Sequence, residues 1–199
     1  MEDMQNIKEE IHLKLITSGR ELVKNKGLDF LTARKLSEAS GCSIGTIYNQ
    51  FSSMDDFVAE QNEITLKDLA EKLYKAEYKS DSYYNLNMMI EIFANFVANN
   101  KELWMLLYNF HLNKKDYKLP MSYKKRLFKL FGLTTDNFGR LFPRLSRSRC
   151  KVMKNVLESG LFGLSALLAA GSVDVQSGKN MCRILVNTFL AGVTLLEKD

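Results

Sequence analysis

Residues 28–57 read LDFLTARKLSEASGCSIGTIYNQFSSMDDF, and this stretch decides the fold. Its spacing predicts two short helices that are joined by a tight turn and followed by the start of a third helix. Thr32 is placed to cap the first helix, because its hydroxyl can accept a hydrogen bond from a backbone N–H that has no partner within the helix. We predict this first helix over residues 33–39, with Leu36 and Ala39 on its inner face.

The turn between the two short helices is centred on Gly41. Glycine readily adopts the left-handed backbone conformation that ends many helices. Ser43 can cap the next helix, and Ile47 and Phe51, four residues apart, can anchor its inner face. A helix, a short turn with glycine and a second helix form a helix-turn-helix, whose second helix enters the DNA major groove.

The run of residues 43–51, S-x-G-T-x-Y-x-x-F, lies at a characteristic distance after Thr32. With these residues the chain resembles the tetracycline-repressor (TetR) family of bacterial transcription regulators. The other residues that carry the resemblance are Gly27, Leu28, Arg34, Leu36, Gly41 and Ile47. A small helical subdomain without a role in DNA binding would explain the apolar residues but not the pair Gly45-Thr46 beside Tyr48.

The resemblance implies an all-α chain of about nine helices in two domains. We expect a three-helix, helix-turn-helix DNA-binding domain at residues 1–52, with its motif at residues 32–51. Residues 53–199 are then expected to form a helical domain for effector binding and dimerisation.

Composition agrees with a folded helical protein but does not locate the DNA-binding part. The 199 residues are 46% hydrophobic and include only two prolines, which argues against disorder. The net charge of +5 suits an anionic partner. However, residues 1–52 carry seven basic and seven acidic side chains, whereas residues 114–154 carry thirteen basic and two acidic ones. The DNA-binding prediction therefore rests on spacing and not on charge.

Several function classes receive no support from the sequence. The three cysteines, Cys42, Cys150 and Cys182, are far apart and lack metal-ligand spacing, so we expect reduced thiols, no metal site and a cytoplasmic protein. We find neither a secretory leader nor an apolar run long enough for a membrane span. Two histidines, no nucleophile–base spacing and no glycine-rich phosphate loop argue against an enzyme, and we expect no cofactor.

Apolar residues at spacings of three and four predict the remaining helices. They are expected at residues 7–26, 54–77, 83–99, 102–112, 146–170 and 175–197. Residues 121–145 are harder to interpret. There we expect one helix that ends at Gly132, a second that begins near Thr134, and a stop or kink at Pro143.

The last two helices carry more apolar residues than the core of one chain requires. Small residues in them, Gly160, Gly163, Ala191 and Gly192, allow close helix packing. The resemblance implies that these helices form a four-helix bundle with the same pair from a second chain. A two-fold dimer presents two reading helices ~34 Å apart, or a multiple of that, to a palindromic operator. An ordinary intramolecular core is the alternative.

The second helix of the motif offers a small set of groups for reading bases. Asn49 can pair with adenine through two hydrogen bonds, and Ile44 can pack on a thymine methyl group. Ser43 and Thr46 can donate or accept hydrogen bonds. Gly45 allows the helix backbone to approach the groove closely, because it has no side chain.

Other residues of the motif are candidates for backbone contacts. By the resemblance, Thr32 and Tyr48 contact phosphates, and Arg34 contacts a phosphate or the minor groove. Lys35 is either a phosphate contact or a solvated surface charge. Gln50 and Met54 stand where the family often has other residues, so the resemblance assigns neither of them a role.

The resemblance also implies that the C-terminal domain holds a small ligand whose binding releases DNA. Candidate lining residues are apolar or aromatic: Met89, Phe93, Phe96, Trp104, Tyr108 and His111. The same residues suit an ordinary core, and His111 suits a structural hydrogen bond. The basic stretch 114–154 permits an anionic ligand, a position near the DNA flanks, or a solvated surface.

The sequence thus predicts a DNA-binding transcriptional regulator, a repressor that a small molecule releases from a palindromic operator. The alternative is a protein with the same fold that answers to a protein partner or has no small-molecule effector.

Overall fold

The computed structural model describes residues 2–113 and 117–196, with side chains other than those of residues 2–4, 128 and 131–136. Nine α-helices and one 3-10 helix make up the regular structure of the described residues, and no strand occurs among them. The α-helices are α1 (Glu2–Lys26), α2 (Ala33–Ser40), α3 (Ile44–Gln50), α4 (Met54–Tyr74), α5 (Ser82–Asn99), α6 (Lys101–Asn113), α7 (Met121–Leu141), α8 (Arg147–Ala169) and α9 (Val175–Leu196). The 3-10 helix, Leu28–Phe30, lies between α1 and α2. The predicted all-α class is therefore confirmed.

The prediction for residues 121–145 was wrong in one respect. A single helix, α7, runs from Met121 to Leu141, where we expected a break at Gly132. Glycine inside a helix costs only about 1 kcal/mol relative to alanine, so it does not by itself end one. Pro143 follows two residues after the helix, as expected for a residue that disfavours helical backbone before it.

The chain divides into two compact units. The first contains Met1–Thr65 and Glu102–Tyr123, and the second contains Leu66–Lys101 and Lys124–Asp199. This division follows contacts within the chain and does not test the functional boundary that we predict between residues 52 and 53. That boundary stays a prediction.

The first unit is built around α1, which packs against α2 and α3. Its buried apolar residues are Leu15, Ile16, Leu36, Ile47, Phe51 and Phe57. Ile7, which the periodicity placed on the inner face of α1, is 56% exposed, so the buried face of this helix begins about one turn later.

In the second unit, α5 packs against α8 and α9, and these two helices pack against each other. Glycines permit two of the close approaches. A Cβ atom on Gly160 would lie 2.9 Å from Leu185, and one on Gly178 would lie 2.9 Å from Leu168. Both distances are shorter than real Cβ contacts, so a larger residue at either position would require the end of the leucine side chain to shift.

α8 and α9 each bury one face and leave an apolar stripe exposed on the opposite face. The buried residues are Leu157, Ser165 and Leu168 on α8, and Cys182, Val186, Leu190 and Val193 on α9. The exposed apolar residues are Val152, Val156 and Leu167 on α8, and Met181, Ile184, Leu195 and Leu196 on α9. Within the described chain these stripes are not covered by protein.

By length and composition, α8 alone among the described helices is apolar enough to cross a membrane. One helix of this kind is weak evidence for a membrane span, because core helices have the same length and composition. Its packing against α5 and α9 gives it an ordinary role in a helical protein.

Candidate nucleic-acid interface

The boundaries of α2 and α3 are fixed by local hydrogen bonds at the predicted residues. The hydroxyl of Thr32 accepts a hydrogen bond from the N–H of Lys35 at 3.2 Å, which caps α2. Gly41 ends α2 in the left-handed conformation, with φ of 68°. The hydroxyl of Ser43 accepts from the N–H of Thr46 at 3.0 Å and caps α3. These three predictions are confirmed.

Two further serines stabilise the turn between α2 and α3. Ser37 donates to the carbonyl of Cys42 at 2.7 Å, and Ser40 donates to the carbonyl of Leu36 at 2.7 Å. Ser40 is buried, whereas Ala39, which we predicted to face inward, is exposed. The short serine side chain takes the inner position because its hydroxyl can bond to the backbone of its own helix.

The inner face of α3 is held by the core of the first unit. Ile47 is fully buried, and the ring of Phe51 meets the edge of Phe57 at a centroid distance of 4.9 Å. Met54 packs against the same core. Met54 is therefore a partly buried apolar residue at the edge of this core.

The outer face of α3 is exposed and carries four of the residues that we predict to contact or face DNA. Ile44 and Tyr48 are 45% and 48% exposed, and Gly45 and Asn49 are exposed beside them. Their spacing of one and four residues places them on one side of the helix. The structure thus brings these four residues together on a surface opposite Ile47.

Gly45 is not required by the fold. A Cβ atom at this position would meet only the Ser43 hydroxyl, at 3.6 Å, which is an ordinary van der Waals distance. Its backbone φ is not in the left-handed region either. The absence of a side chain at residue 45 therefore leaves the backbone of α3 open to a partner and serves no visible purpose inside the chain.

The hydroxyls of Ser43 and Thr46 lie 2.9 Å apart and bond to each other. Because Ser43 also caps α3, its hydroxyl is already engaged twice. A base contact by either group requires that this local pair rearranges. Ile44 and Asn49 carry no such restriction among the hydrogen bonds of this helix.

The two cations at the start of α2 share one carboxylate. Arg34 Nε lies 3.2 Å from Glu38 Oε1, and Lys35 Nζ lies 2.8 Å from Glu38 Oε2. The hydrogen bond from Lys35, followed by that from Arg34, lowers the pKa of Glu38. The side chain of Arg34 is nevertheless 83% exposed. Sequence analysis missed Glu38, although spacings of three and four in a helix are those at which charged side chains meet.

α1 is attached to the end of α3 by contacts that sequence analysis also missed. Gln50 donates to the carbonyl of Lys8 at 3.2 Å. His12 Nε2 lies 2.6 Å from Oε1 of Glu60 on α4. The centroid of the His12 ring lies 4.9 Å from that of the Phe51 ring. These residues are far apart in sequence, so no local pattern indicates the contacts. Gln50, to which the resemblance gave no role, thus joins α3 to α1.

The six predicted ligand-pocket residues fall into two groups. Met89, Phe93 and Phe96 lie on α5 in the second unit, and Trp104, Tyr108 and His111 lie on α6 in the first. Three of them, Met89, Phe96 and Trp104, are buried. The pocket that would combine all six stays a prediction.

Polar side chains near the end of α6 and the start of α7 contact α4 or each other within the first unit. Tyr117 donates to Asp56, Ser122 donates to Glu63 at 2.9 Å, and the Tyr123 hydroxyl lies 2.8 Å from His111 Nε2. The hydrogen bond from Tyr117 lowers the pKa of Asp56, and Ser53 adds to this effect.

No group of three or more potential metal ligands lies together in the described parts of the chain. Cys42, Cys150 and Cys182 are free thiols, and burial raises the pKa of Cys182.

Comparison with known proteins bears on the same segment. Residues 15–60 match the sequence model of bacterial regulatory proteins of the tetR family. No match was found among curated proteins.

Solved structures share the fold over nearly the whole chain. A TetR-like transcriptional regulator from Rhodococcus sp. RHA1 has a TM-score of 0.66 at 14% identity and covers 92% of this chain and 96% of its own. Thermus thermophilus FadR, a TetR-family transcriptional repressor in complex with lauroyl-CoA, has a TM-score of 0.62 at 18% identity and covers 87% and 92%. A protein of unknown function from Rhodococcus sp. RHA1 has a TM-score of 0.69 at 17% identity and covers 92% and 94%. Identities this low establish the fold alone.

Proposed function

From the match of residues 15–60 to bacterial regulatory proteins of the tetR family, we propose that the protein is a transcriptional repressor that a small molecule releases from a palindromic operator. The family match and the fold support DNA binding and transcription regulation. The observation that carries the proposal is the outer face of α3, where Ile44, Gly45, Tyr48 and Asn49 are exposed together over a firmly buried Ile47.

The exposed groups of α2 and α3 divide into two roles. Phosphate contacts fix the position of the protein on DNA, and base contacts select the sequence. Thr32, Arg34 and Tyr48 are assigned to phosphates. Asn49 and Ile44 are assigned to bases, with Ser43 and Thr46 available after their mutual hydrogen bond opens.

The variants Tyr48→Phe and Asn49→Ala test these roles. Tyr48→Phe removes only a hydroxyl and should weaken binding about 5-fold on operator and unrelated DNA alike, since one hydrogen bond is worth about 1 kcal/mol. Asn49→Ala should lower the operator preference about 10-fold or more, because a bidentate base contact contributes about 1–3 kcal/mol of discrimination. Gel shifts with the DNA upstream of the protein's own gene measure both values. If both variants discriminate and bind like the parent, the assignment is wrong.

Glu38 competes with phosphate for Arg34 and Lys35, so Glu38→Gln should strengthen binding to DNA. We expect affinity for unrelated duplex to rise about 3- to 10-fold at low salt. The slope of log affinity against log salt should steepen by up to roughly 2, because each additional phosphate contact adds about 0.9. Fluorescence anisotropy across a salt series measures both quantities.

Glu71→Gln is the matched control for this experiment. It changes the net charge by the same unit and removes the pair of Glu71 with Lys67 on α4, which is also spaced by four residues. An equal gain in affinity for both variants would show that net charge alone is responsible and would remove Glu38 from the interface.

We further propose that two copies pair through α8 and α9. The exposed stripes on these helices supply the apolar surface, and Gly163 and Gly192, which have open space around them in the described chain, permit close approach of a second copy. A two-fold pair presents two α3 helices to a palindromic site.

The effector stays part of the proposal. That a protein of the same fold is found with lauroyl-CoA supports a ligand site in this architecture. A DNA-binding regulator of this kind acts in the cytoplasm, as expected from the sequence. No observation in the described residues favours the alternative of a protein partner.

A further inference from the structure

Asn62 stands apart from the other polar side chains of α4. Its side chain is fully buried, and neither Nδ2 nor Oδ1 has a hydrogen-bond partner among the described residues. Burying an amide without partners is costly, and native proteins avoid it unless something binds there. The adjacent Gln61 is half satisfied: its Nε2 donates to the carbonyl of Ile16 on α1 at 3.0 Å, whereas its Oε1 has no partner among the described residues.

The position of Asn62 on α4 is bounded by contacts on both sides. Val58, four residues earlier and hence on the same face, packs against the cluster that includes Leu103 and Leu106 of α6. Glu63, the next residue, accepts a hydrogen bond from Ser122 at the start of α7. Val58 also packs against the core around Ile47, so the amide lies on a stretch of α4 whose neighbouring residues contact that core, α6 and the start of α7.

Side chains of α6 in this unit are largely apolar, and the charged groups beside α4 are engaged: Arg20 donates to the carbonyl of Gln61 and to the hydroxyl of Thr65, and Glu63 accepts from Ser122. Leu103, Leu106 and Phe110 of α6 are buried. His111 and Tyr123 bond to each other, burial lowers the pKa of His111, and burial together with the nearby Glu63 raises the pKa of Tyr123. At neutral pH this pair carries no charge. A ligand with a net charge would lose its hydration here without gaining a partner of opposite charge from the pair.

We propose that Asn62 is the polar recognition group of a buried site for an uncharged ligand that presents a hydrogen-bond donor beside an acceptor. An asparagine amide offers two N–H donors and one carbonyl acceptor, so its natural complement is a carboxamide, a lactam or a pyridone. An aromatic or aliphatic remainder of the ligand would suit the leucines of α6. This inference rests on the proposed function, because the site would be that of the effector.

The test compares the wild type with Asn62→Leu, which keeps the size of the side chain and removes its polar groups. Asn109→Leu is the matched control, because the Asn109 amide on α6 already bonds to the carbonyl of Met105. The probes are benzamide and 2-pyridone, with toluene as an apolar probe of similar size. Thermal unfolding is followed with and without each probe.

We expect benzamide and 2-pyridone to raise the unfolding midpoint of the wild type by about 3 °C at about ten times their dissociation constants, and to do so more than toluene. Asn62→Leu should lose this shift and Asn109→Leu should keep it. Without any probe, Asn62→Leu should unfold at the same temperature as the wild type or higher. The variant no longer pays the desolvation cost of a buried amide without hydrogen-bond partners.

Two results would overturn the proposal. One is a wild type that the carboxamide probes stabilise no more than toluene does. The other is an Asn62→Leu variant that unfolds several degrees lower without a probe, which would make the amide a structural group satisfied by bound water. A gel shift on the samples without probe keeps the two proposals separate, because a wild type that does not bind DNA there would overturn the proposed function without changing the thermal result.

Discussion

Replacing Gly19 with valine is expected to lower the free energy of unfolding by about 3 kcal/mol. A Cβ atom on Gly19 of α1 would lie 2.5 Å from Cζ of Phe57 and 3.1 Å from Nε2 of Gln61. Phe57 is fully buried with its ring against Phe51, so it has no room to move away. Because valine adds two methyl groups beyond that Cβ, α1 must move away from α4 to accommodate it.

Equilibrium unfolding in urea measures this loss, with Gly139→Val as the matched control. Gly139 is an exposed residue of α7, and no described atom lies within 4 Å of the point that a Cβ would occupy there, so valine should leave stability unchanged or raise it slightly. A Gly19→Val protein as stable as the parent would show that α1 and α4 do not pack as closely as described. Because α1 also packs against α2 and α3, DNA binding should fall together with stability.

Replacing Ile184 with aspartate is expected to separate the proposed dimer and to lower operator affinity about 100-fold or more. Ile184 is 62% exposed in the apolar stripe of α9. In a two-fold interface each substitution occurs twice, and each places a charge without a partner against an apolar surface. A single chain engages only one half of a palindromic operator, so most of the affinity is lost.

Light scattering after gel filtration gives the mass of the protein and so distinguishes a dimer from a single chain. Gel shifts give the affinity for the operator. Met121→Asp is the control, since Met121 is 65% exposed but lies at the start of α7, outside the stripes of α8 and α9. The control should remain a dimer and bind the operator normally. If Ile184→Asp stays dimeric, or if the wild type is monomeric, the pairing through α8 and α9 is wrong.

The helix-turn-helix could be predicted from the sequence because its determinants are local. Thr32, Gly41 and Ser43 act on backbone groups within a few residues of themselves, so their types and spacing are sufficient. The exposure of Tyr48 follows in the same way from the burial of Ile47. The fold class and the family resemblance were confirmed on this basis.

Other features depend on contacts between distant parts of the chain. The bond of Gln50 to Lys8 and the unpartnered amide of Asn62 are set by how α1, α4 and α6 pack, and no short pattern in the sequence contains that information. Gly132 illustrates a different difficulty. A glycine lowers helix propensity only slightly, and tertiary packing readily outweighs it, so the break predicted in α7 does not occur.

On the proposed role in DNA binding, the carboxylate that Glu38 shares between Arg34 and Lys35 has a consequence for the protein in a cell. A chromosome offers on the order of 10⁶ or more unrelated sites for each operator, so most molecules of a strongly cationic protein would be held on irrelevant DNA. Glu38 pairs with Arg34 and Lys35, and on the proposed role it would weaken those encounters more than it weakens an operator complex to which Asn49 and Ile44 add base contacts. A lower copy number of the protein would then be enough to keep its operator occupied.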